Sequence, residues 1–452
     1  MLEDRRNVEM ARRRLLSVGA FVLLMMTAVG TSLFFATSAS GDSAGGDAFR
    51  QLGMLGACAL LLIAQIDFEG TRPPMAMPLT LWLLLGYCLL SISWSLVPLI
   101  SLRRLISFGL TTWVVVRVVG DLGAVRTLSL LRWILVGLVL ASFLAVFFSP
   151  LAVHTAVLGD TDTTAGDWRG VFSHKNAAGP VMAMTILLFL FDRRRLSWLI
   201  CIPVILLSGF FLYKTNSKTS MLVLPPAILV GYLMLYYNPR QRFFVWAGAL
   251  TALCVGIAFL VSSPSVARML DDPRAFTGRG RIWHILFEYA RENPWFGTGY
   301  AAFWQIGPAS PVYKLDSGWV AKFVGHGHNG YLDMLVTIGL PGMTLAIFAM
   351  LVWPVFKLLS AWQISRSRRA ILAATIFYCA MHNLSESSLL GSTPVQIMLL
   401  VAVVLTHHLA AQSEGQHQVL QRRLQQRFSF RGIPSLGVGA GRFGPQDVRR
   451  QR

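Results

Sequence analysis

Acidic residues are scarce in this chain. Its 452 residues hold 21 Asp and Glu against 40 Lys and Arg, a formal net charge of +19. Charge of either sign is thin as well, at 13% of residues, where a soluble domain carries about 25%. That shortage excludes an ordinary water-soluble globule. Cysteine is sparse too: Cys58, Cys88, Cys201, Cys254 and Cys379 all fall inside apolar segments. They lack metal-ligand spacing and no pair sits in an external loop, which argues against a disulfide framework or a zinc site. Buried free thiols are the simpler reading. No internal repeat is visible either, which weighs against the two similar halves common in transporters.

What is abundant is apolar. Hydrophobic residues make up 54% of the chain, gathered into blocks near the roughly 20 residues that a helix needs to cross a bilayer. Backbone groups in lipid must pair internally, so such blocks read as helices. The class is an all-α, polytopic integral membrane protein. Spans are expected near 15–36, 51–66, 78–96, 104–118, 131–149, 178–191, 196–213, 221–237, 243–262, 338–358, 370–386 and 393–411, about twelve in all. The block at 51–66 is short for a span. An even number puts both termini on one side. Well over half of the Lys and Arg fall on that side, including Arg12, Arg13 and Arg14, the Arg193–Arg195 run and the last tail. The positive-inside rule then makes both termini cytoplasmic. The basic balance is thus a matter of membrane sidedness, and no nucleic-acid partner is implied.

The start resembles a secretory leader, with ARRRLL, an apolar stretch and then ATSAS. The apolar stretch is longer than the ~7–15 residues of a leader, so it reads as the first helix. The expected organisation is a basic cytoplasmic N-terminus over 1–14 and nine helices over 15–262, including an external loop at 150–177. A large periplasmic loop over 263–337 follows, then three helices over 338–411 and a cytoplasmic tail over 412–452. The tail is basic and Gly-rich, with few apolar clusters, so it is expected to be mostly disordered. A short basic helix at 416–428 would suit an anionic lipid surface.

The external segments hold the informative residues. In GRIWHILFEYAREN, Ile282, Ile285, Leu286 and Tyr289 recur at helical spacing. This predicts an amphipathic helix, on the outer membrane surface or packed on the spans, ended by Pro294. Turn chemistry follows at Gly297 and Gly299. Cations gather in these loops: Arg169 and Lys175 in the first, Arg279 and Arg281 in the second, Lys214 and Lys218 in the short YKTNSKTS connection. Converging loops would make an anion site, and the planar fork of Arg suits phosphate. Solvated loops or headgroup contacts compete for each residue.

In GHGHNGYLDMLVTIG, at 325–339, two histidines precede an apolar helical run. Asn329 suits the N-cap, which puts His328 at the positive end of a helix. That position and nearby arginines favour a neutral ring, and a neutral ring can act as a general base. A capping or interfacial histidine is the competing reading. His326 and His328 lack an evident third metal ligand, so His326 is expected to turn away or to bond a loop carbonyl. Asp160 and Asp162 form a weak candidate for a divalent ion. His382, Asn383 and Glu386, in MHNLSES, end a span on the outer side. Ionisable groups at that depth are functional candidates, with structural contacts between helices as the alternative.

Together TGRGRIW (277–283), PWFGTG (294–299) and HNGYLDMLVTIG (328–339) resemble the O-antigen ligase and polymerase family of bacterial membrane glycosyltransferases. WSLVPLISLRR (94–104) and NSKTS (216–220) are similar to its less specific parts. The resemblance implies transfer of a glycan from undecaprenyl diphosphate to a hydroxyl, on the periplasmic face of the inner membrane. It implies inversion at the anomeric carbon, with neither cofactor nor metal. Arg279 would hold the diphosphate and His328 would stand near the reacting centre. Arg169 would be a second diphosphate ligand, with Arg281, Asn329 and Glu386 also lining the substrate site. RGVFSHKNAAG (169–179) is similar to exopolysaccharide polymerases, so His174, Lys175 and Asn176 would line the acceptor or donor site; a structural turn competes. Lys218 departs from the Arg of many relatives, and Lys holds phosphate only as a point charge. Polymerase is the expected branch. Transfer to a lipid A core or to a protein hydroxyl are its neighbours, and a chain-length regulator protein is an admissible partner. A twelve-helix transporter is the rival class, weakened by the few charges within the spans.

Overall fold

The computed structural model describes residues 2–30, 48–66, 77–155, 164–192, 196–262, 279–316, 318, 320–321, 324–391 and 393–429. Asp160 and Asp162, the Arg193–Arg195 run, Thr277, Gly278 and residues 430–452 lie outside them. The helices in chain order are α1 (Leu2–Val29), α2 (Ala48–Ala64), α3 (Leu79–Leu90), α4 (Pro98–Phe148), α5 (Lys175–Phe191), α6 (Trp198–Thr215) and α7 (Lys218–Tyr236). Then come α8 (Arg242–Ser262), α9 (Arg279–Glu292), α10 (Val312–Leu315), α11 (Gly330–Ile347), α12 (Trp353–Ser360), α13 (Arg366–His382) and α14 (Pro394–Ser429). Among the described residues the only extended pairing is the isolated bridge between Val153 and Trp168.

Among the described residues, five stretches are long and apolar enough to cross a membrane: α4, α6, α7, the α11–α12 stretch Gly330–Ser360, and Pro394–Glu414 of α14. Their surfaces agree with that. Leu199 is 85% exposed, Phe148 84% and Leu222 77%. Large side chains bared in this number would aggregate in water but are at home in lipid. The chain is therefore a polytopic helical membrane protein. One continuous apolar core joins α1, α2, α4, α5, α7, α13 and α14.

Three boundaries differ from expectation. The spans at 104–118 and 131–149 are joined by helix and separated only by a kink at Gly123, whose φ is 69°. The intervening Ala124–Leu131 run has no helix breaker, so helical turns continue through it. Second, α11 runs from Gly330, behind its expected cap, past 338, the expected start of the span, with a break at Gly339. Third, helix continues beyond 412 to Ser429.

The amphipathic helix is α9. Its apolar face, Ile282, Ile285, Leu286 and Ala290, forms a second small core with Phe303, Trp304, Leu332 and Val336. It is packed on α11. The quoted motifs also grip one another. Leu340 N–H donates to Pro294 C=O at 2.8 Å, and Thr298 N–H to Val336 C=O at 2.9 Å. The backbones meet so closely that a Cβ on Gly339 would lie 2.0 Å from Trp295 C=O, and one on Gly297 2.6 Å from Val336 C=O. Both have positive φ, which only glycine adopts freely. Trp94 Nε1–H reaches Phe296 C=O at 3.0 Å. Arg104 holds Trp304 C=O at 2.9 Å and Gln305 C=O at 3.0 Å. The spaced motifs are thus one contact surface that fixes the polar segment on the bundle.

Candidate active site

The short segment 383–388, beyond the end of α13, is where the polar chemistry gathers. Four helices begin beside it. At the start of α9, Arg279 donates to Ser385 C=O at 2.6 Å and to Glu386 Oε1 at 2.6 Å. At the start of α5, Asn176 Nδ2–H donates to the same Oε1 at 2.7 Å. At the start of α7, the Thr219 hydroxyl is 2.8 Å from that of Ser385. At the start of α11, Gly330 N–H donates to the carbonyls of Asn383, at 2.9 Å, and Glu386, at 3.0 Å. Helix N-termini carry partial positive charge. Four of them around one point place the Glu386 carboxylate in a positive field.

His328 Nδ1 lies 3.3 Å from Glu386 Oε2. This contact favours the tautomer with the proton on Nδ1, which leaves Nε2 as an acceptor. The residue has a φ of 47°, a left-handed conformation that a non-glycine residue holds only when its surroundings enforce it. They do. The preceding Gly327 donates to both oxygens of Asp333 at 3.0 Å, and its carbonyl accepts from Trp283 Nε1–H at 3.0 Å. Trp304 Nε1–H binds Asp333 at 2.7 Å. Behind His328, Asn329 caps α11, its Oδ1 accepting from Tyr331 and Leu332 N–H at 3.1 Å. The cap engages its Oδ1.

Glu386 is the hub. Its side chain is 9% exposed and that of Arg279 15%. Burial alone would raise a carboxyl's pKa. The hydrogen bond with His328 and the Arg279 charge outweigh it and hold Glu386 down to about 2. Nearby, His174 caps α5, with Nδ1 accepting from Asn176 N–H at 3.2 Å. Its ring centroid is 5.0 Å from that of His154. Burial, and then His154, push it down to about 4, so it is uncharged at neutral pH.

The other sequence candidates lie around this centre. Lys175 is paired with Asp167 at 2.6 Å. Arg169 donates to the carbonyls of Leu151 and Ser173 in its own loop. Arg281 pairs with Asp316 and does not join the cluster. Two helical positions apart, it faces almost opposite to Arg279. Lys218 is exposed at the first turn of α7, beside Thr219. Lys214 lies over the Trp168 and Phe210 rings at 5.8 Å. Asp167, Thr219, Trp283, Trp304, Asp333 and Ser385 were not singled out by sequence. None stands in a charged run; Thr219, Trp283, Trp304 and Ser385 take their roles from partners distant in the chain, and Asp167 and Asp333 from partners in neighbouring turns.

Residues 203–347 match the family model described as O-Antigen ligase. That span takes in Arg279 and His328, while Asn176 and Glu386 lie outside it. The chain is also similar to "Exopolysaccharide production protein ExoQ" of Rhizobium meliloti (strain 1021), at 24% identity over 356 residues, covering 75% of this chain and 77% of that protein. The resemblance to the O-antigen ligase and polymerase family is borne out. The glycines of PWFGTG and HNGYLDMLVTIG have a concrete meaning. They allow the contact that sets Arg279 and His328 against one carboxylate.

Proposed function

We propose that this protein is a membrane glycosyltransferase that polymerises a surface polysaccharide. It transfers a glycan from undecaprenyl diphosphate to a hydroxyl of a lipid-linked repeat unit. The proposed topology is twelve crossings of the inner membrane, with both termini cytoplasmic and the site facing the periplasm. The observation that carries the reading is the meeting of Arg279, His328 and Glu386 among four helix N-termini.

Each group has a task. The acceptor oxygen forms its bond to the anomeric carbon from the face opposite the leaving group. The bond from that carbon to the phosphate oxygen breaks, and the lipid diphosphate leaves as an anion. Arg279 and the helix N-termini stabilise the growing charge, as preorganised donors do. The acceptor proton goes to Nε2 of His328, and Glu386 on Nδ1 steadies the ring as positive charge appears. The reaction needs no nucleotide sugar and no metal. An apolar cleft of about 410 Å³, lined by Ile186, Leu212, Tyr213, Met221, Leu224 and Ile228, lies between α5, α6 and α7. Two of these helices begin at the site, so the cleft gives a polyprenyl tail a place beneath its diphosphate.

The name of the similar Rhizobium protein favours polysaccharide production, and hence polymerase. The description of the matched family model favours the second reading, transfer to a lipid A core. Electrophoresis of surface and lipid-linked glycans from a deletion strain separates them. A polymerase leaves single lipid-linked repeats and no long polymer, with rescue by the native chain only. Polymer of normal length that is no longer joined to lipid A selects the ligase reading. Unchanged glycans reject both.

A further inference from the structure

The loop at 325–328 does more than orient His328. His326, His328 and Glu386 each offer one ligand atom, and these three atoms lie within 4.8 Å of one another. The two imidazoles are stacked at a tilt with centroids 4.0 Å apart. The spacing of the two histidines in the sequence supplied no third ligand. The fold brings one from 58 residues away.

We propose that His326, His328 and Glu386 bind one transition-metal ion of the zinc class, and that the bound ion switches off His328. The inhibitory half rests on the proposed role of His328; the binding half does not.

The donor set selects the ion. Two neutral imidazoles and one carboxylate suit Zn²⁺ and its neighbours. Mg²⁺ and Ca²⁺ want more oxygen ligands, and the one carboxylate here already shares Oε1 with Arg279 and Asn176. Its Oε2, facing His328, is the oxygen open to an ion. Ligand bonds of about 2.0–2.2 Å require the three groups to close in slightly. His326 is exposed, His328 half-buried and Glu386 buried, so an ion can arrive from solvent through His326 and finish against the carboxylate.

The switch follows from the imidazole itself. A neutral ring has one lone pair for a metal and one N–H. Whichever nitrogen of His328 takes the ion, the other must hold the proton. No nitrogen is left to accept the acceptor's proton. Metal and catalysis therefore exclude each other at this residue, and Glu386 is taken from its ring partner in the same step.

His326→Asn separates the two functions. It removes the imidazole, keeps a side-chain acceptor in the loop, and spares Arg279, His328 and Glu386. The test uses the full-length, untagged protein in lipid nanodiscs. Co²⁺ serves as a spectroscopic probe and Zn²⁺ as the ion in transfer assays. We expect one equivalent of Co²⁺ to give the visible bands of an imidazole-bound ion, displaced by Zn²⁺ and lost in His326→Asn. We expect saturating Zn²⁺ to slow native transfer about 100-fold, within the range of a lost general base. A chelator should restore it, and His326→Asn should be active and insensitive. Absence of bound Co²⁺, or equal binding by His326→Asn, overturns the site. Faster transfer with Zn²⁺, or equal inhibition of both proteins, overturns the switch. A native chain that binds Co²⁺ through His326 but transfers no glycan under any condition leaves the site standing and rejects the enzymatic reading instead.

Discussion

Two buried arginine–carboxylate pairs stand at opposite ends of the bundle. Arg132 and Asp192 meet just past the end of α5, with side chains 3% and 0% exposed. Arg279 and Glu386 meet at its start, 15% and 9% exposed. The first pair is closed: Arg132 also donates to the Asp192 carbonyl, and its guanidinium lies 5.8 Å from the Phe189 ring. The second is shared. Glu386 divides its oxygens among Arg279, Asn176 and His328, beside an exposed histidine and four helix N-termini. The same ionic chemistry thus serves structure at one end and, in the proposed function, a reaction at the other. The difference lies in access.

Substitutions can break this contrast from either side. Arg132→Ala should have the largest effect, because it removes one partner of a buried ion pair, at a cost of about 3–5 kcal/mol. Thermal unfolding in detergent should show that loss, while the molecules still folded transfer glycan at the native rate. Arg279→Ala should do the reverse. Transfer should fall about 10²–10³-fold, as when a donor to developing charge is removed, with insertion and yield unchanged. Arg279→Lys should recover little, since a point charge cannot replace the fork that spans Ser385 and Glu386.

His328→Ala should reduce turnover about 100-fold, with little change in donor KM. A drop in affinity alone would move His328 from the proton to the donor. Asp333→Asn should be milder. It weakens the clamp on Gly327 and leaves the site's own groups in place, so turnover should fall about tenfold, equivalent to roughly 1.4 kcal/mol. A further expectation concerns pH. Glu386 is held at about 2, against an ordinary 4.5. Its folded pKa is depressed, so its stabilising contribution is complete above about 4.5 and disappears as pH falls towards 2. The stability gap between the native chain and Glu386→Gln should close over that interval and stay constant above it.

Much of this was legible in the sequence, for identifiable reasons. Apolar blocks near bilayer length announced the helices. The Ile282–Tyr289 period announced α9, and Asn329 before an apolar run announced the cap of α11. Arg279, His328 and Glu386 stood out as ionisable groups beside apolar segments, and the spaced motifs brought the first two together by resemblance. What the chain order hid was assembly. Asn176 and Arg279 reach Glu386 across 210 and 107 residues, and no local pattern encodes such contacts. Counting cations also overstated the cluster. Arg281 shares a helix with Arg279 but not its face, and the Arg169 fork is occupied by carbonyls of its own loop. The helical turns on either side of the Gly123 kink were hidden because basic residues there read as a loop between two spans.

The central claim is that the shared pair drives glycan transfer and the closed pair does not. The most direct measurement compares native, Arg279→Ala and Arg132→Ala proteins in lipid nanodiscs supplied with an undecaprenyl-diphosphate-linked repeat unit. Release of undecaprenyl diphosphate is followed per folded molecule. Native release by Arg132→Ala and almost none by Arg279→Ala is the expected result. Native release by Arg279→Ala, or equal loss in both variants, would contradict it.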